Sequence, residues 1–298
     1  MHLTIGIYGN IELARKLGKK GTENDIAIFN HGSSEGVFTY ICPNSEKIQP
    51  LLQTLHMIDL PVLVVKELTK EIGEMLLAID EMDFETGFII TDLDLSSLIK
   101  GTSLERFKKI EENQLREELS KVIIERKEES LILPIDNYFN VKSVGTVILG
   151  IMKSGSLKKH DRLLVEPLGK EVVVKGIQSQ DRDIEQAGAG MRIGLSLKGI
   201  DADELKRGFV ICNSMKKSNI IKISFRKSKF FRQELKQGMM VFVSISLQVV
   251  SSVIESIEPS GEIIIKLGQP VAYSDSEKCI LASQTENLPR IIGSGIIV

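Results

Sequence analysis

Residues 145–212 decide the fold. They begin GTVILGI (Gly145–Ile151), continue through RLLVE (Arg162–Glu166) and VVVKGI (Val172–Ile177), and end VIC (Val210–Cys212). These runs are short and rich in β-branched residues, and glycine-containing turns separate them. Closely spaced strands of this kind are typical of a small closed barrel.

The segments before and after this stretch differ in their pattern of apolar residues. The first part alternates strand-like runs such as Leu3–Tyr8 with amphipathic helical runs such as Thr69–Met82, which predicts an α/β sheet with helices on its faces. Leu104–Arg126 is expected to form one helix ending in a solvated run. The last part again consists of strand-like runs, which predicts a second barrel. The predicted fold class is therefore α/β plus all-β, with domains at 1–130, 131–215 and 216–298.

Charge follows the same division. The chain has 38 Lys and Arg against 40 Asp and Glu, a net charge of −2. Residues 1–130 carry a net charge of −8, whereas residues 131–215 carry +2 and residues 216–298 carry +4. A near-neutral total argues against a protein that coats nucleic acid indiscriminately. The division predicts that a polyanionic partner prefers the barrels to the first domain.

Several classes of protein are not favoured. The three cysteines are scattered, which suits a reducing interior, and no metal site is expected. The start of the chain lacks the pattern of a signal peptide, and no apolar run approaches the ~20 residues that span a bilayer. We therefore expect a cytoplasmic protein without a membrane partner.

Residues 133–212 resemble the second domain of translational GTPases of the elongation factor Tu type. The resemblance rests on Pro134-Ile135-Asp136, on Val144–Val147 and on Arg207-Gly208, in the family's order and spacing. Ile177–Ser179 with Asp183–Ala187 is most similar to the selenocysteine-specific SelB branch. The whole chain resembles an archaeal SelB-like, or EF-Pyl-like, group. This implies a P-loop-type G domain followed by barrels like domains II and III of elongation factor Tu.

The G domain expected from this resemblance is degenerate. The phosphate-binding G-x-x-x-x-G-K-[ST] loop falls at Gly9, Asn10 and Ile11, with no lysine and too few residues to surround a phosphate. The D-x-x-G-H motif falls on a segment that begins at Tyr40, and Pro43 there lacks an N–H. Of the guanine-reading N-K-x-D, only Asp94 remains. We therefore expect no GTP, no Mg²⁺ and no hydrolysis.

In the family, the second domain contacts the aminoacyl end of tRNA. By position this function falls around Asp136–Val144 and on Ser179–Glu185. Phe139 is expected in the barrel core, with a base-stacking platform as the alternative. A second basic cluster in the third domain is interleaved with Phe225, Phe230 and Phe231. We expect a strand with these phenylalanines in the core, with a nucleic-acid-binding cluster as the alternative. The RNA-binding candidates are Phe139, Lys142, Lys175, Arg182, Arg226, Lys229 and Arg232.

Three functions remain open from the sequence. The first is an elongation factor-like protein that binds tRNA or the ribosome through its barrels without GTP. The second is a protein–protein adaptor that uses the acidic first domain. The third is an active GTP-binding elongation factor with atypical motifs. No local motif suggests catalytic residues, so an enzyme is not favoured.

Overall fold

The computed structural model describes residues 1–34, 36–126, 129–285, 287 and 289–298. An α/β domain is followed by two closed six-stranded β-barrels, which confirms the fold class expected from the sequence. Within these ranges no helix has the length and apolar character needed to cross a bilayer.

The first domain is a seven-stranded sheet with helices on both faces. The strand order is β2-β3-β4-β1-β5-β6-β7, with the last five parallel and β2 and β3 antiparallel at one edge. The strands are β1 (His2–Tyr8), β2 (Lys19–Glu23), β3 (Ile26–Gly32), β4 (Val37–Pro43), β5 (Leu60–Val64), β6 (Phe88–Ile90) and β7 (Lys108–Lys109). The helices are α1 (Ile11–Leu17), α2 (Ile48–Met57), α3 (Lys70–Met82), α4 (Ser96–Ile99) and α5 (Leu115–Ser120).

Alternation along the buried strands supplies two cores. Leu3, Ile5 and Ile7 of β1 face the side covered by α1 and α5. Tyr8 faces the opposite side, which α2 and α3 cover. A strand buried on both faces in this way is characteristic of a sheet between two helical layers.

The single helix expected over Leu104–Arg126 is wrong. Leu104 lies in a 3₁₀ turn, β7 follows, and only α5 is α-helical. Leu104 and Phe107 pack beneath α3, whereas Leu115 and Leu119 pack on the opposite side of the sheet. One straight helix cannot serve both faces, so the chain crosses the sheet edge as a short strand beside β6.

Both barrels are closed by pairing of their first and last strands in the ring. In the first barrel β11 pairs with both β16 and β12, and β13 extends β12 outside the ring. Its strands are β8 (Ile132–Val141), β9 (Gly145–Ile151), β10 (Ser156–Lys158), β11 (Arg162–Glu166), β12 (Lys170–Ser179), β13 (Arg182–Ile184), β14 (Gln186–Gly188), β15 (Arg192–Lys198) and β16 (Val210–Cys212). The second barrel consists of β17 (Lys216–Lys227), β18 (Met240–Ile245), β19 (Gln248–Ile257), β20 (Glu262–Tyr273), β21 (Lys278–Ser283) and β22 (Ile291–Ile297).

Buried carboxylates on α3 join the first domain to the second barrel. The Glu74 side chain is 3% exposed and accepts hydrogen bonds from the Arg290 backbone N–H at 2.7 Å and Nε at 3.0 Å. Two helical turns further along α3, the Glu81 carboxylate accepts hydrogen bonds from Ser294 Oγ at 2.7 Å and from Arg226 Nη2 at 3.2 Å. Apolar residues of α2, α3 and the barrel surround these contacts.

The first barrel is joined to the first domain by Arg207. Its guanidinium binds both carboxylate oxygens of Asp25 at 2.7 and 2.9 Å, and its Nε donates to the backbone oxygen of Asp136 at 3.1 Å. Gln53 on α2 donates to the Leu247 carbonyl of the second barrel at 2.9 Å. The three domains therefore meet around α2.

His56 lies at this three-domain junction. Its side chain is buried, and its Nε2 has no hydrogen-bond partner among the described residues. It lines a cavity of about 10 Å³ together with Met57, Ile151 and Leu247. Burial, with smaller contributions from nearby lysines, lowers the pKa of His56 to about 3, so the imidazole is neutral in the folded protein.

Replacing Glu74 tests the α3 interface. Glu74→Gln should lower the free energy of unfolding by about 3 kcal/mol, because it leaves the Arg290 charge buried without its counter-ion. Urea denaturation followed by circular dichroism measures the change. Glu71 is exposed on the same helix, so Glu71→Gln is the matched control and should have little effect. Equal stability of the two variants would contradict the role of Glu74.

Acid should destabilise the junction through His56. The folded-state pKa lies below the ordinary value of 6.5, so the unfolded chain binds the proton more readily and stability falls as the pH drops below about 6.5. At about pH 5 this group should cost about 2 kcal/mol of stability. His56→Leu should remove that part of the pH dependence in urea denaturation, whereas His160→Asn, at an exposed position, should leave it in place.

Candidate nucleic-acid interface

The connection from β1 to α1 contains only Gly9 and Asn10. Asn10 caps α1: its Oδ1 accepts hydrogen bonds from the backbone N–H groups of Glu12 at 3.1 Å and Leu13 at 3.3 Å. Gly9 has φ +87°, and a Cβ there would lie 2.2 Å from the Val64 carbonyl oxygen. In phosphate-binding proteins, the N–H groups at the start of such a helix bind the anion. Here the Asn10 side chain occupies two of them, and the backbone at Gly9 packs tightly against the end of β5.

The other two positions that match nucleotide motifs lie in different surroundings. Tyr40 is buried within β4 opposite Ile5 in the middle of the sheet, and Pro43 ends that strand opposite Ile26. Asp94 is near the carboxyl end of β6, where its Oδ1 accepts from the Ser96 backbone N–H at 2.9 Å. Hydrogen bonds from Ser96 hold the pKa of Asp94 below its ordinary value. Asp94 thus fixes the turn before α4.

Phe139 lies on the outer face of the first barrel, and the expectation that it belongs to the core is wrong. Strict alternation from Leu133 and Ile135 would point Phe139 inward. A β-bulge between Ile135 and Asn137 reverses the alternation. Tyr138 then packs against the core, and Phe139 is 40% exposed.

A cleft of about 360 Å³ separates this outer face from the first domain. The first domain contributes the edge strand β2 and Asn30. The barrel contributes Leu149, which lies two residues beyond Val147, the partner of Phe139, on the same face of β9. The remaining lining residues are Gln178, Ser179, Gln180, Asp181, Arg192, Ile193 and Gly194.

A tight turn forms one wall of the cleft. Ser179 pairs with Arg182, so only Gln180 and Asp181 connect β12 to β13. Both have left-handed backbones, with φ of +49° and +59°. Glycine, asparagine and aspartate are the residues that normally adopt this turn, so Gln180 is the strained position, at a cost of roughly 1–2 kcal/mol. The turn places both residues at the cleft and leaves Arg182 exposed beside it.

Charge within the cleft is partly compensated. Arg192 is nearly buried and forms an ion pair with Asp136, with Nη2 3.3 Å from Oδ1. Lys20 pairs with Glu23 at 2.9 Å. Lys19 has no ion pair with any residue in the described ranges. The cleft therefore offers exposed cations at its β2 wall and a neutralised pair at its base.

Lys142 and Lys175 lie near one end of the first barrel. Lys142 is exposed in the turn after β8. Lys175 Nζ donates to the Val144 carbonyl at 3.2 Å, and this lysine lines a second cleft of about 380 Å³ with Lys170 and Lys198. The structure thus separates these two candidates from the cleft beside β2.

The basic cluster of the third domain serves mainly the domain interface. Arg226 contacts Glu81, and Lys229 Nζ donates to the carbonyls of Lys100 at 3.2 Å and Gly101 at 3.0 Å. Arg232 is exposed. Phe231 is buried in the core and Phe225 packs against it, as expected, whereas Phe230 is 41% exposed and the expectation that it lies in the core is wrong.

The comparisons with known proteins agree with this architecture. The sequence model of the family described as Elongation factor Tu domain 2 matches residues 145–212. An uncharacterized protein of Methanocaldococcus jannaschii, MJ0325, is 36% identical over 305 residues that cover 98% of each chain. The selenocysteine-specific elongation factor of that organism is 29% identical over 275 residues, 80% of this chain and 58% of that protein. The chain belongs to the elongation factor Tu/SelB-like family.

Solved SelB structures share the whole fold. The crystal structure of SelB from Methanococcus maripaludis in complex with the GTP analogue GPPNHP superimposes with a TM-score of 0.87, at 20% identity, over 99% of this chain and 78% of that chain. The bacterial selenocysteine-specific factor EF-Sec superimposes with a TM-score of 0.82 over 99% of this chain and 58% of that one. At these identities the likeness concerns the fold, and this SelB-like chain spans little more than half of the bacterial protein.

Sequence reasoning missed the contribution of β2 to the cleft. Lys19–Glu23 carries no apolar alternation, and its exposed residues gave no strand signal. In the structure this segment follows α1 and forms the edge of the sheet. Among the described residues there is no group of three His, Cys, Asp or Glu side chains able to hold a metal ion.

Proposed function

We propose that this SelB-like chain is a translation elongation factor-like protein that binds tRNA or the ribosome through its β-barrels. The cleft between β2 and the outer face of the first barrel is the observation that carries the proposal. It includes part of the Ser179–Glu185 segment, to which the family resemblance assigns the end of tRNA. The likeness to a selenocysteine-specific elongation factor supports the same class of partner.

Phe139 gives the proposed interface a stacking surface. An exposed aromatic ring beside cations is the arrangement with which proteins bind unpaired nucleotides, since bases stack on the ring and phosphates meet the charges. Phe139 lies outside the cleft lining, on the exposed face that leads through Val147 to Leu149 at the cleft, and Lys19 and Lys20 lie on the opposite wall of the cleft. Tyr138 is packed against the core and is not available for stacking.

We further propose that neither GTP hydrolysis nor GTP binding is retained. The two-residue connection after β1, with Asn10 occupying the first N–H groups of α1, supports this. Pro43, where the motif requires a glycine N–H, supports it independently. A phosphate would have to displace the Asn10 side chain and would find no lysine in the connection.

A protein–protein adaptor is the second candidate. The net charge of −8 on residues 1–130 favours it, because an acidic surface repels RNA and attracts basic protein segments. This candidate and the first differ in their response to RNA.

Removal of the Phe139 ring tests the RNA interface. Phe139→Ala should weaken tRNA binding about tenfold, because one stacked base contributes about 1–3 kcal/mol, and should barely change stability since the ring is exposed. Phe230→Ala, equally exposed on the second barrel, is the matched control. Gel-shift titrations at several salt concentrations measure the affinity, which should fall steeply as salt rises. No RNA binding at low salt would favour the adaptor.

Calorimetric titration with GTP and GDP in the presence of Mg²⁺ tests the nucleotide proposal. We expect no heat of binding at micromolar nucleotide. Asn10→Ala is the informative variant, because it frees the N–H groups of α1. If the wild-type chain bound either nucleotide with micromolar affinity, the chain would instead be an active GTP-binding factor with atypical motifs.

A further inference from the structure

A separate pocket of about 150 Å³ opens on the first domain, on the side of the sheet covered by α1 and α5. Its lining combines polar and apolar residues, namely His31, Ser33, Ser34, Phe38, Tyr40, Arg116 and Leu119. His2 at the start of β1 pairs with Val37, so the pocket lies near the amino end of β1. Gly9 follows the carboxyl end of the same strand. The pocket is therefore distinct from the degenerate phosphate loop at Gly9 and from the barrel cleft, and it shares only Tyr40 with the segment that matches D-x-x-G-H.

Tyr40 brings an unused hydrogen-bond donor to this pocket. The residue is 1% exposed, and its hydroxyl makes no hydrogen bond with any residue in the described ranges. The hydroxyl oxygen keeps some contact with solvent, which reaches it through the pocket. Burial raises the pKa of Tyr40 to about 12, so the hydroxyl keeps its proton at neutral pH. Such a donor needs an acceptor that the protein does not supply.

Arg116 brings an uncompensated positive charge to the same pocket. Its Nη2 donates to the carbonyls of Lys16 at 3.3 Å and Leu17 at 3.2 Å, which end α1. Its Nη1 lies 3.4 Å from His31 Nε2. Within the described part of the chain it makes no ion pair with a carboxylate. The guanidinium is thus fixed in position while its charge and its Nε–H remain available.

We propose that this pocket binds a phosphate group, with Arg116 as the counter-ion and the Tyr40 and Ser34 hydroxyls as hydrogen-bond donors. The chemistry of the lining decides the charge of the ligand: the described lining residues supply donors and one cation but no carboxylate. The volume decides its size, because it is below the ~300–1,000 Å³ of pockets for drug-sized ligands. A phosphate or a small phosphate monoester fits a pocket of this volume.

This site does not depend on the proposed RNA function. It also differs from a purely structural role for Arg116, in which the guanidinium only caps the carbonyl end of α1. The structural role explains the contacts with Lys16 and Leu17. It leaves the unpartnered hydroxyl of Tyr40 unexplained.

Tyr40→Phe separates the two roles. The full-length protein is titrated with inorganic phosphate by calorimetry and by thermal shift, with chloride at equal ionic strength as the reference. Wild type should bind phosphate and gain stability from it. Tyr40→Phe should weaken phosphate binding about tenfold, as expected for loss of one hydrogen bond to a charged ligand, without lowering the melting temperature in chloride.

Tyr8→Phe is the matched control. Tyr8 is equally buried in the same sheet, but its hydroxyl donates to Thr54 Oγ1 at 3.4 Å on the opposite face. This variant should keep its phosphate affinity. Arg116→Gln should lose phosphate binding altogether. Phosphate that stabilises wild type no more than chloride would overturn the proposal, as would a Tyr40→Phe variant with unchanged affinity, since binding would then reflect surface charge alone.

Discussion

The structure depends on the pairing of carboxylates from the first domain with arginines from the barrels. Glu74 binds Arg290, Glu81 binds Arg226, and Asp25 binds Arg207. Glu74 and Glu81 are withdrawn from water, so each requires its partner, and an arginine fork satisfies a carboxylate in a defined orientation. The relative placement of the three domains, and with it the cleft beside β2, follows from these contacts.

These contacts also change the meaning of the charge division. The surplus of acid in residues 1–130 and of base in the barrels indicates, from the sequence, two surfaces with different partners. In the structure, part of this opposite charge is used up at the domain interfaces. Glu74 and Glu81 of α3, and Asp25 just before β3, each bind an arginine of the barrels. The acidity left on the surface is correspondingly smaller, which weakens the case for the first domain as an adaptor surface. Arg226 and Lys229 are likewise interface residues as much as candidates for RNA.

The fold could be predicted because its signals are local. Runs such as Gly145–Ile151 alternate and end in turns, and the Tu-like spacing identifies the barrel they build. The predictions that failed have a shared physical cause: in each case the structure depends on contacts with residues distant in the chain. The segment Leu104–Ser120 packs first on one face of the sheet and then on the other, and the periodicity of its apolar residues does not predict this change of face. The contribution of β2 to the cleft depends on the domain opposite it, and the pocket at Tyr40 depends on Arg116, far away in the chain.

The bulge in β8 has a consequence for how the barrel surface can change. Because neighbouring residues of a strand point to opposite sides, the one extra residue there exchanges the roles of Tyr138 and Phe139. Deleting Asp136 would remove the extra residue and leave Asn137, Tyr138 and Phe139 opposite Leu149, Ile148 and Val147, so the tyrosine would stay inward and the phenylalanine outward. The chemistry that this face presents is therefore set by the pairing of β8 with β9 beyond the bulge, and the bulge lets the strand lose one residue without exchanging a purely apolar ring for one that carries a hydroxyl.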